Sequence, residues 1–84
     1  KLPEIPADAT SIQAVITLYR SEGEDVINTW TATSFPFAIS QGNIENSSHG
    51  YIIIDWEWHY LDDEGVDVIQ TQTTEIDDIA FTQN

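Results

Sequence analysis

From Thr10 to Arg20 the chain reads TSIQAVITLYR, and its apolar residues recur at every second position. Ile12, Ala14, Ile16 and Leu18 share one side; Gln13, Val15, Thr17 and Tyr19 share the other. A period of two predicts a strand with one buried face, and the β-branched content agrees. SEGED, residues 21 to 25, has the glycine and acids of a hairpin loop, after which VINTWTAT returns as a second strand rich in Val, Ile, Thr and Trp. In SFPFAIS, Pro36 lies between Phe35 and Phe37 and confines the segment to an edge or a bend, because proline has no N–H to give to a ladder. QGNIENSSHG, residues 41 to 50, has loop composition.

A second hairpin is clearer still. Residues 51 to 61 predict a strand, Asp62 to Gly65 a turn, VDVIQTQTT the return, and EIDDIAF a last short strand that closes the sheet. Alternation puts Ile52, Ile54, Trp56, Trp58 and Tyr60 on one face of the strand, with Tyr51, Ile53, Asp55, Glu57 and His59 on the other. The first half is apolar on both faces, which predicts a central position. The second half is apolar on one face only. No segment repeats apolar residues at helical spacing over two turns, so no helix is expected.

The elements therefore predict an all-β fold: a small antiparallel β-sandwich or partly open barrel built from two hairpins plus a closing strand. Residues 10–84 form one β domain. Residues 1–9, with Pro3 and Pro6, form an extended N-terminal arm that lies on the surface or reaches a neighbour.

Charge changes the picture most. Fifteen Asp and Glu stand against two basic residues, a net charge of −13, and the excess is concentrated after residue 50, where there are acids and no base. With no basic stripe to neutralise phosphates, direct nucleic-acid binding is excluded, and anionic membranes would repel the chain. There is no cysteine, hence no disulfide, thiolate metal site or cysteine nucleophile. No apolar run approaches the roughly 18 residues needed to cross a bilayer. A chain beginning at Lys1 rather than Met fits a processed product, and an extracellular or virion location is expected.

Candidate chemistry is sparse. Asp62, Asp63, Glu64 and Asp67 cluster around Gly65 and are candidate ligands for weak calcium binding, although Tyr60 stands where an EF-hand needs its first ligand. Asp55, Glu57 and His59 share a strand face and are a second candidate set for a divalent metal. The same pattern is that of a strand whose solvent face is simply polar. Trp56, Trp58 and Tyr60, about 7 Å apart in steps of two, form either core or a platform on which sugar rings could stack; their area favours core. Asn46 to Ser48 match an N-glycosylation acceptor, and His49 reads as a loop residue. No catalytic set and no resident cofactor other than calcium are expected.

VIQTQTTEI gives a flat polar ribbon with no lysine to guard it, an edge that invites another strand. EIDDIAFT, residues 75 to 82, resembles the terminal strand of jelly-roll carbohydrate-binding modules, which implies sugar binding as one alternative. The leading expectation is a non-enzymatic structural or interaction protein, a subunit or decoration protein of a virion or extracellular filament. Its expected partners are proteins, copies of itself or a larger assembly. A further alternative is an acidic inhibitor that imitates nucleic acid before a basic protein.

Overall fold

A computed structural model of the chain describes residues 2–21, 25–41 and 49–80. The predicted hairpin turn at 22–24, the loop at 42–48 with its glycosylation acceptor, and residues 81–84 lie outside them. Four strands follow one another: β1 (Ser11–Arg20), β2 (Val26–Ala32), β3 (His49–Leu61) and β4 (Asp67–Ala80). They form one antiparallel sheet in the order β2-β1-β3-β4, and the described residues contain no helix. β3 is central, as its apolar first half predicts.

Two features depart from the sequence expectation. The closing strand is not separate: EIDDIA continues β4, which runs for 14 residues. The sheet is also open, neither folded into a barrel nor faced by a second sheet among the described residues. Its inner face is covered by irregular chain instead. Phe35, in the segment after β2, packs on Trp56 with ring centroids 5.7 Å apart. The end of that segment is tied back where Asn28 Nδ2 donates to Gln41 Oε1 at 3.0 Å. At the other end of the sheet the N-terminal arm is anchored by Thr10 N–H donating to the His59 carbonyl at 2.8 Å. Leu2 and Glu4 line one cleft with Trp58, Gln70, Thr71 and Gln72 of the sheet.

Register explains the core. β1 and β3 pair Ile12 with Trp58, Ala14 with Trp56, Ile16 with Ile54 and Leu18 with Ile52, so the two alternating patterns meet on one face. Ala32 and Trp30 join from β2. Ala14, Ile16, Leu18, Ala32, Ile52 and Trp58 are buried, and Ile54 and Trp56 are packed against that cluster.

The cover is thin. The molecule measures 53 × 21 × 17 Å with a radius of gyration of 15.6 Å, whereas a compact chain of this length has about 12 Å. Its accessible surface is 5908 Å², against roughly 5000 Å² for a compact chain of this mass.

The turn between β3 and β4 is set by one side chain. Asp62 Oδ1 accepts the N–H of Glu64 and of Val66, both at 2.9 Å, while Gly65 takes the left-handed conformation (φ 78°) that closes a three-residue loop.

Candidate interaction surface

The outer face of the sheet carries the polar half of each alternation. Val15, Thr17 and Ile53 are half-buried along its middle, and Tyr19 stacks on Tyr51 with centroids 4.8 Å apart. Toward β4 this face becomes acidic. Asp55 accepts the Thr73 hydroxyl at 3.1 Å. His59 stands between two carboxylates, with Nδ1 3.0 Å from Asp67 Oδ2 and Nε2 3.5 Å from Glu57 Oε2. The hydrogen bond with Asp67 raises the His59 pKa above the ordinary imidazole value; desolvation, next in size, opposes it, and the charge of Asp67 with the hydrogen bond and charge of Glu57 add to the rise. Further along β4, a hydrogen bond with Asp77, its charge and some desolvation raise the Glu75 carboxyl.

The two candidate metal sets do not assemble as sets. Asp62 Oδ1 accepts two N–H groups of its own turn, and Asp67 Oδ2 lies 3.0 Å from His59 Nδ1. Glu57 and His59 meet, but Asp55 on the same strand turns to Thr73. Among the described residues no group of three or more His, Asp or Glu is arranged to hold a metal ion. His49 is the first residue of β3 rather than part of a loop, and its carbonyl accepts the Ser21 N–H at 3.1 Å.

The aromatic row on the inner face is not an open platform. Trp58 is only 4% exposed, and Trp56 lies beneath Phe35 and donates its indole N–H to Thr74 Oγ1 at 3.1 Å. Thr74 itself is 3% exposed. Trp58 Nε1 is buried with no hydrogen-bond partner among the described residues. A cleft of about 550 Å³ opens between arm and sheet, lined by Leu2, Glu4, Trp58, Gln70, Thr71 and Gln72.

β4 forms one edge of the sheet. At about 3.3 Å per residue its 14 residues span on the order of 45 Å. It contains neither Lys, Arg nor Pro, the usual protections of an exposed edge. Val68 to Thr74 carry no charge, whereas Asp67 lies at one end of that window and Glu75, Asp77 and Asp78 at the other. A bulge ends the flat part. Gly50 pairs with Ile79 and Ile52 with Ile76, so Tyr51 faces both Asp77 and Asp78, and Asp78 has a φ of 55°. The opposite edge, β2, has seven residues and its own irregularity, the pairing stepping from Leu18–Asn28 to Tyr19–Val26.

The pairing of His59 with Asp67 and the burial of Thr74 were not read from the sequence. Both follow from the β3–β4 register, which pairs Leu61 with Asp67 and Ile54 with Thr74. The three-residue loop was the signal that could have fixed that register. No family model, no curated protein and no solved structure matches this chain.

Proposed function

We propose that this chain is a non-enzymatic building piece, a subunit or decoration protein of a virion or extracellular filament, which joins its assembly by accepting a strand along the outer edge of β4. The observation that carries this reading is the edge itself: long, free of Lys and Pro, and uncharged from Val68 to Thr74. An added strand would satisfy a row of backbone groups at once, with side-chain fit supplying selectivity.

Light-scattering mass across a salt series tests it. In about 1 M salt, where repulsion between copies is screened to a few ångströms, the concentrated protein gains mass, and Thr71→Lys, which places a guard on the edge, suppresses the gain. Association that Thr71→Lys leaves untouched, or a strict monomer that also binds no added extended segment along β4, contradicts the proposal.

A second reading, an acidic inhibitor that imitates nucleic acid, draws on one observation: Asp55, Glu57, Asp67, Glu75 and Asp77 project from the same face of β3 and β4. It predicts binding to a basic protein that weakens steeply with salt and is insensitive to Thr71→Lys.

A further inference from the structure

The charges at the two ends of the β4 window distinguish among the strands that could be added to it. A second copy is disfavoured. In an antiparallel pair of β4 strands with the windows in register, Asp67 of one copy stands opposite Glu75 of the other, and the reverse contact repeats it. Shifting the register by one step on each strand sets Asp67 against Asp77 instead. A parallel pair stacks each acidic end on its own kind. The chain cannot offset this, because it has only two basic residues, and Arg20 lies in β1, away from this edge. Glu4, which lines the cleft beside Gln70, Thr71 and Gln72, adds another carboxylate next to the window.

From this charge pattern we infer that the occupant of the β4 edge is a cationic extended segment of another protein: a short uncharged, β-branched run with Lys or Arg at both ends. Its backbone continues the sheet along Val68 to Thr74. Its terminal cations meet Asp67 at one end and Glu75, Asp77 and Asp78 at the other. The uncharged middle sets the register, because a shift would draw a cation away from its carboxylates onto Thr and Gln. This inference rests on the strand-addition reading above and adds to it the chemistry of the partner.

The test uses the full chain with synthetic peptides of alternating Thr and Val. One is closed by Lys-Arg at both ends, one by Glu at both ends, and a third keeps the Lys-Arg ends but has Pro at alternate positions of the run. At about physiological salt the first peptide binds at least about tenfold more tightly than either control and slows amide exchange at Val68 to Thr74. The Glu75→Gln, Asp77→Asn double variant weakens that binding and flattens its salt dependence. Equal binding of the Pro-bearing peptide, or exchange protection lying elsewhere, overturns the inference. If the chain alone gains mass at physiological salt with protection at Val68 to Thr74, the occupant is a second copy; the inference then fails while strand addition stands. Protection of that window neither by any peptide nor by self-association in high salt removes both.

Discussion

The indole N–H of Trp56 donates to the buried hydroxyl of Thr74, 18 residues further on, and so ties the central strand to the edge strand across the inner face. This is a cross-strand diagonal, since Trp56 itself pairs with Gln72. Thr74→Val keeps the shape but removes the acceptor, leaving a half-buried N–H unsatisfied at a cost of about 1–3 kcal/mol. Thr74→Ser keeps the acceptor and costs less. Urea unfolding followed by tryptophan fluorescence ranks the three proteins.

Trp58 carries a large part of a small core. Trp58→Ala costs about 3–5 kcal/mol, a loss comparable to the whole stability of many domains of this size. Trp58→Phe costs less, because it removes the buried N–H that has no partner in the described structure along with part of the ring. In a protein that retains Trp58 alone, with the other two tryptophans replaced by Phe, acrylamide quenches native emission weakly and unfolded emission strongly. Equal quenching in both states would mean a wet ring and would restore the sugar-stacking platform.

His59 makes stability depend on pH. Its folded pKa is raised above the unfolded value, chiefly by Asp67, so the protonated ring stabilises the fold. That contribution is complete below the unfolded imidazole pKa and is lost as pH rises through the folded one. Ring titration by NMR gives a midpoint above the ordinary imidazole value, and Asp67→Asn lowers it. Melting temperature falls across this range in the native protein and stays flatter in His59→Gln.

Glu75 acts in the same direction at lower pH. Its carboxyl pKa is raised beside Asp77, so the fold is favoured while the proton is bound and loses that support as pH climbs from the ordinary carboxyl value through the raised one. Glu75→Gln is therefore more stable than the native protein at neutral pH, and the difference closes in acid. Melting curves of both proteins across that range check the sign.

The alternation of Ile12, Ala14, Ile16 and Leu18 and that of Ile52 to Tyr60 makes the strands, the central place of β3 and the buried Trp58 legible in the sequence. Three things were not legible, each for a physical reason. EIDDIAF looks like a fresh strand because Ile76 and Ile79 are three apart, and that change of phase is the bulge at Asp77 and Asp78, through which the same strand continues. A sandwich is what several short strands separated by turns imply, but the alternation of β1 and β3 reports only that a face is covered. It cannot show that irregular chain, with Phe35 on one side and the arm on the other, does the covering. The division of the acids between Thr73, His59 and the Asp62 turn depends on register and side-chain direction, which composition does not contain.

The central claim is that the outer edge of β4 is where this chain meets its assembly. Residue-resolved amide exchange on the dilute monomer and on the associated protein in high salt tests it most directly. Association should slow exchange in Val68 to Thr74 and leave β2 unchanged. Protection appearing along Val26 to Ala32, or on the acidic outer face with β4 unaltered, would contradict the claim.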